Sequence, residues 1–230
     1  MINSIYSIAV VLVIMFSLSA QAEEKDFAVS ASVSTAYNYI GITNGITVSE
    51  GVHLQGVATV EHKSGLFVQA WASTDALLGG KDPDDSFEGE IDSTAGYRGT
   101  AFSNEISYQV DYSVFWIRAD GEVHDVHNVN ALLNWDRKGD LDFYAGFQRF
   151  FTGDFGPGKG LAYKAGAKYK GFNVEAGGHN GLFGADAEAV SFVRFGWSKQ
   201  IGKVKLSAFA QKGLANPIED TISVTATFSF

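Results

Sequence analysis

The chain has 230 residues, with 26 glycines, three prolines, no cysteine, a charged fraction of 19% and a formal net charge of −9. The acidic balance argues against nucleic acid as a partner, and the lack of cysteine excludes disulfides and a cysteine-linked lipid anchor. Mean hydropathy is near zero, and no apolar run beyond the amino terminus is long enough for a membrane helix, so a closed sheet is the one way for this chain to span a bilayer.

Ile8 to Phe16 is an unbroken apolar core followed by Ala20-Gln21-Ala22 and then by the polar Glu23-Glu24-Lys25-Asp26. This pattern predicts a secretory signal over residues 1–22, cleaved after Ala22, although only the α-amine supplies positive charge ahead of the core. Residues 23–230 then form the mature domain.

From there the sequence alternates almost without interruption, and a period of two predicts strands. The first covers Phe27 to Tyr39, with Val29, Ala31, Val33, Thr35 and Tyr37 on one face and serines on the other. The second is Val52 to His62. Lys63-Ser64-Gly65 turns into a third that ends at Thr74. The fourth is Phe87 to Thr100. The fifth, Glu105 to Arg118, sets Ile106, Tyr108, Val110, Tyr112, Val114 and Trp116 against Ser107, Gln109, Asp111 and Ser113. His124 to Asp136, Leu141 to Phe151, Gly160 to Tyr169, Phe172 to Gly178, Glu188 to Lys199 and Lys203 to Lys212 follow. The twelfth begins at Thr221, with Ile222, Val224, Ala226, Phe228 and Phe230 opposite Thr221, Ser223, Thr225, Thr227 and Ser229. A final strand ending in an aromatic residue resembles the assembly signal of bacterial outer-membrane barrels.

An even number of strands, tight turns after the even-numbered ones and longer connections after the odd ones predict an all-β fold, a transmembrane antiparallel up-and-down barrel of 12 strands. Pro83, Pro157 and Pro217 all fall in the longer connections, where no ladder donor is lost. Apolar-face aromatics gather at two levels. Tyr97, Trp135, Tyr169, Phe172, Trp197, Phe228 and Phe230 lie near the tight turns, and Tyr37, Tyr39 and Trp116 near the longer loops, as expected of two interfacial belts.

With the apolar set in lipid, the other set lines the lumen. Twelve strands at about 4.8 Å spacing and roughly 40° tilt predict a backbone diameter of about 24 Å and an opening of about 10 Å. The lumen charges segregate around the ring. Glu61, Glu90, Asp92, Glu105, Asp111, Asp136 and Asp142 come from strands two to seven, with Arg98 as the exception. Lys164, Lys168, Arg194, Lys203 and Lys205 come from strands eight to eleven, with Glu175 as the exception. Asp92, Asp111, Lys164, Glu175 and Arg194 are the candidate constriction residues, and Glu90, Arg98, Lys168 and Lys205 are further lumen charges. An acidic wall facing a basic one sets a transverse field that orients dipolar solutes; the same charges could instead pair into a network that plugs the barrel. Phe67 and Trp71 also point inward.

Thr35 to Thr43, Gly56, His62-Lys63-Ser64-Gly65, Trp71-Ala72-Ser73, Glu90-Ile91-Asp92 and Gly96-Tyr97 together resemble the first half of the TorF-type family of bacterial porins. The second half matches in strand pattern only. Ala36 and Ile40 stand where the family usually shows Asp and Arg, so any role of that charge pair does not carry over. The resemblance implies an outer-membrane barrel and a pore, with no particular solute and no catalytic residue.

Motifs for chemistry are weak. His124 and His127 are three apart and face opposite sides of a strand, so they cannot share a metal. His179-Asn180 lacks the serine nucleophile of a barrel phospholipase. Asp82-Pro83-Asp84-Asp85 lacks the spacing of a calcium loop. The sequence therefore calls for no catalytic residue, no metal and no cofactor. It points to a channel for small hydrophilic solutes or ions in the outer membrane of a Gram-negative bacterium. The expected partners are outer-membrane lipids, the barrel assembly machinery through the strand ending at Phe230, and small solutes. A closed structural or adhesive barrel acting through its external loops is the alternative, and a barrel lipid hydrolase a third reading.

Overall fold

Alternation of side chains along a strand becomes a two-faced wall only when the sheet has no free edge, because an edge in lipid leaves backbone donors and acceptors unpaired. In the computed structural model the sheet closes. It describes residues 26–40, 47–74, 87–102, 104–119, 122–136, 141–151, 159–182, 188–215 and 218–230. Among these the strands are β1 (Phe27–Ile40), β2 (Thr47–His62), β3 (Leu66–Thr74), β4 (Phe87–Ala101), β5 (Ile106–Ala119), β6 (Glu122–Asp136), β7 (Leu141–Phe150), β8 (Leu161–Tyr169), β9 (Phe172–Asn180), β10 (Glu188–Ile201), β11 (Val204–Gly213) and β12 (Thr221–Ser229). Each pairs antiparallel with its neighbours in sequence, and β12 returns to β1, giving a closed barrel of twelve strands. The predicted fold class is therefore the observed one.

The register holds the two faces as the alternation requires. Val29, Val33, Tyr37, Leu66, Val68, Val110, Tyr112, Val174, Phe195, Ile222 and Val224 share the outer face, and most of these side chains are exposed. Thr59, Gln69, Asp111, Ser113, Glu175, Arg194, Gln211 and Ser223 share the inner one. Outer aromatics pair at the tight-turn end, Trp135 with Phe143 at 5.9 Å between ring centroids and Phe228 with Phe230 at 4.8 Å. Both ends of the barrel chain lie at that rim. Phe27 is opposite His62 beside the turn at 63–65, and Ser229 N–H donates to Lys203 C=O at the turn at 202–203.

One expectation about the connections fails. The fifth and sixth strands were expected to be joined by a long loop. Instead Ala119 pairs with Glu122, so only residues 120–121 connect them. An Asp-Gly pair in the sequence is a strong hairpin signal, and the cross-strand pairing runs on as far as Ala119 and Glu122. Strand ends shift similarly elsewhere; β2 begins at Thr47 rather than Val52. The signal segment, the Asp82–Asp85 run and the three prolines lie outside the described residues.

β1 also breaks its own alternation near the seam. Asn38 has φ 60°, and the pairing with β2 slips between Tyr37 and Tyr39, the signature of a bulge. Beyond the barrel wall, Asp220 stands just before β12. Its carboxylate accepts a hydrogen bond from Lys212 Nζ at 2.6 Å and from Gly213 N–H at 2.9 Å, and the Lys212 bond, with the Gly213 bond second, holds its pKa below the ordinary 3.8. A depressed folded-state pKa means this tie is present above the ordinary carboxylate pKa and is lost as pH falls through the folded one. The Gly213 amide signal in NMR is expected to titrate with a midpoint below 3.8. A midpoint at or above the ordinary value would show that the contact does not form.

Candidate functional site

The inner wall carries its charges on glycine-spaced strands. Gly166 faces Tyr144 and Gly177 faces Phe192. A Cβ at Gly166 would come within 2.5 Å of the Tyr144 hydroxyl oxygen, and one at Gly177 within 2.4 Å of Phe192 Cζ. The two glycines let these aromatic rings lie flat along the wall and crowd the lumen around Glu175.

On one side the polar side chains form a continuous chain from β2 to β7. Arg98 donates to Glu61 Oε2 at 2.9 Å and to Gln109 Oε1 at 2.7 Å. Gln109 Nε2 donates to Asp111 Oδ2 at 2.6 Å, and Asn130 Nδ2 donates to Asp111 Oδ1 at 2.7 Å and to Asn128 Oδ1 at 2.8 Å. The Arg98 guanidinium also lies 4.0 Å over the Phe67 ring. Loopward on β4, Glu90 is buried and Asp92 Oδ1 is buried with no hydrogen-bond partner.

On the other side Glu175 sits between two cations. Its Oε1 is 2.5 Å from Arg194 Nη1 and its Oε2 is 3.4 Å from Lys164 Nζ, while the Tyr144 hydroxyl donates to Oε2 at 2.9 Å. Arg194 donates from Nη2 to Gln211 Oε1 at 2.7 Å and stacks 4.4 Å from the Phe209 ring. Lys168 Nζ lies 5.0 Å over the Tyr144 ring. Lys205 is exposed and pairs in register with Thr227.

Arg98 and Glu175, the two residues out of sign with their walls, are thus the counter-ions at the centre of each network. With all groups ionised, Glu61 and Asp111 against Arg98 leave one negative charge, and Lys164 and Arg194 against Glu175 leave one positive charge. The two walls keep opposite signs, and the pairing decides where along each wall charge is locally neutralised. The lumen is also fuller than a ~10 Å opening implies: the side chains of Glu175, Arg194 and Lys164 are 4%, 5% and 8% exposed. At the loop end Val126, Phe150, Ala162 and Leu182 form a buried apolar cluster flanked by Phe115 and Ile117.

Sequence reading named the individual charges but not these pairings. It also missed Asn38, whose Nδ2 donates to Ile222 C=O at 3.0 Å and whose Oδ1 accepts from Gly51 N–H at 3.0 Å, tying β1 to β12 and β2. Only the Asn in an otherwise alternating strand signalled it. His179 points into the barrel and is fully buried, away from any lipid substrate. His124 and His127 take opposite faces, His124 level with inward Ile117 and His127 level with outward Val114.

No family model matches the sequence, and no curated protein matches it. Solved structures do match in shape. The KdgM porin in complex with disordered oligogalacturonate aligns with a TM-score of 0.56 and 10% identity, covering 87% of this chain and 99% of that one. The KdgM porin alone aligns equally well at 11% identity, with the same coverage. Pseudomonas aeruginosa OccK5 (OpdH) aligns with a TM-score of 0.44 and 12% identity, covering 91% of this chain and 68% of that one. The KdgM alignments span nearly the whole of both chains, and this barrel shares the KdgM porin fold.

Proposed function

We propose that the protein is a porin-like channel in the outer membrane of a Gram-negative bacterium, passing ions and small hydrophilic solutes. The observation that carries this reading is the pair of oppositely signed polar networks on the inner wall of a closed barrel whose outer wall is apolar. Asp111 on one side and the Lys164–Glu175–Arg194 group on the other set the narrowest zone, with Asp92 loopward of it. Glu90, Arg98, Lys168 and Lys205 extend the field along the passage. The KdgM porin was solved in complex with disordered oligogalacturonate, and the basic wall here suits carboxylated solutes. Residues 1–22 act as the export signal, the strand ending at Phe230 engages the assembly machinery, and the likeness of the first-half motifs to TorF-type porins supports the same reading. No enzymatic step is assigned to it.

Single-channel recording of the refolded mature chain in a planar bilayer tests this. Discrete conductance steps are expected. Replacing Lys164 and Arg194 together by glutamate turns the basic wall acidic, and the cation-to-anion permeability ratio is expected to rise by about tenfold. The low exposure of the Glu175 group favours a second reading, a closed barrel acting through its external loops. A heat-modifiable, well-folded barrel giving no steps would support that reading and overturn the channel.

A further inference from the structure

The outer face of β5 to β7 breaks the apolar rule near the loop end. Trp116 faces out from β5 opposite Asp125, and Tyr112 and Arg149 face out on either side of Val129. His127, two residues from Val129, has Nε2 2.7 Å from Asp125 Oδ2, and its Nδ1 makes a short hydrogen bond with the Tyr112 hydroxyl. One proton arrangement satisfies both contacts: Nε2–H donates to the carboxylate, and Nδ1 accepts from the hydroxyl. The Asp125 side chain remains 62% exposed. Arg149 is exposed as well, and among the described residues nothing supplies it with a carboxylate.

A cation on the lipid face costs about 2–4 kcal/mol at the bilayer midplane and close to nothing at the interface. Trp116, an interfacial residue by type, and Arg149, one residue before the end of β7, both lie toward the loop side. Arg149 pairs with Val129, four residues along β6 from Asp125, so about 13 Å of strand and one strand spacing of about 4.8 Å separate the backbones of Arg149 and Asp125. The arginine side chain narrows that span to the size of a phosphorylated disaccharide. An acceptor carboxylate, an exposed indole and an exposed guanidinium are the three elements that recognise such a group.

We propose that this patch seats the headgroup of a phosphorylated glycolipid in the leaflet on the loop side. The proposal rests on the reading of the barrel as membrane-spanning. Arg149 takes the phosphate through paired N–H donors. The free Asp125 oxygen accepts a sugar hydroxyl, the Tyr112–His127 pair holds that carboxylate in place, and Trp116 covers the apolar edge of the sugar.

The mature chain is refolded into phosphatidylcholine vesicles carrying a minor fraction of either monophosphoryl lipid A or phosphatidic acid. It is then released into mild detergent, and retained lipid is counted by native mass spectrometry, with inorganic phosphate as competitor. Retention of the glycolipid over phosphatidic acid is expected. Arg149→Gln is expected to lower retention of the glycolipid by about tenfold, with Arg149→Lys intermediate, and Asp125→Asn to remove the preference over phosphatidic acid. Equal retention by Arg149→Gln and the parent chain overturns the proposal. So does equal retention of the two lipids by the parent chain, or displacement of the glycolipid by inorganic phosphate alone. Both residues face away from the lumen, so the variants are expected to conduct as the parent does. Lost retention with unchanged conductance supports the lipid site. Retention without any conductance supports it too, and sinks only the channel reading.

Discussion

Replacing Glu175 by alanine is expected to lower the unfolding free energy of the lipid-inserted barrel by about 3–5 kcal/mol, because it leaves two buried cations facing each other with no counter-charge. Glu175 is 4% exposed on its side chain, and it contacts Arg194 at 2.5 Å and Lys164 at 3.4 Å. Removal also takes away the acceptor of the Tyr144 hydroxyl. Glu175→Gln separates charge from shape: it keeps the volume and one acceptor oxygen but not the negative charge, and its cost should lie between those of alanine and the parent. Urea titration in large vesicles, read by tryptophan fluorescence, measures both variants. The result bears on the lumen as well as on stability. A loss of less than about 1 kcal/mol would show that water reaches and screens the two cations, as it does for exposed pairs. That outcome would mean an open passage at this level rather than a packed one.

Asn38→Leu is expected to cost about 2–4 kcal/mol and to loosen the closing seam specifically. Asn38 occupies φ 60°, a left-handed conformation that asparagine tolerates and a γ-branched aliphatic does not. Its side chain bonds β12 through Ile222 C=O and β2 through Gly51 N–H, and Ser223 Oγ donates to Asn38 C=O. Leucine removes the side-chain bonds and orphans the buried Gly51 donor. Asn38→Gly removes the same bonds without backbone strain, so the difference between the two variants isolates the conformational part. Hydrogen exchange at Gly51, Ile222 and Val224 should rise in both variants, while exchange in β5 and β6, on the far side of the ring, should not. Uniform acceleration around the barrel would overturn the assignment of Asn38 to the seam.

The two variants test features with different visibility in the sequence. Glu175 could be placed on the inner face by counting, because it shares parity with Asn173 and Gly177 along a short strand. Its role as the centre of a basic cluster could not. That depends on Arg194 of β10 pairing with Glu175 itself and Lys164 of β8 pairing with Gly177 beside it, which is a matter of register between three strands. Arg98 is the mirror case: by composition a stray cation among acids, in three dimensions the counter-ion that joins Glu61 to Gln109 and Asp111. Asp125, His127 and Tyr112 share one outward face of a hairpin, but only the diagonal across the β5–β6 pair brings the imidazole to the phenol. The β5–β6 connection was misjudged for a related reason. Its flanking residues look polar and irregular, and the pairing that extends the strands to Ala119 and Glu122 belongs to the sheet, not to either segment alone.

What the sequence by itself determined is the set of properties that travel along one strand: which segments are extended, which residues share a face, how many strands there are, and hence an apolar outside, a polar inside and a ring that must close. These follow from a period of two and from the cost of unpaired backbone in lipid, and both are local. What only the tertiary structure decided is which charges neutralise one another, how full the lumen is, where the wall bulges at Asn38, and that a polar group gathers on the lipid side of β5 to β7. Those depend on register and on the depth of side chains from different strands, and a slip of two residues would keep every face correct while changing every partner.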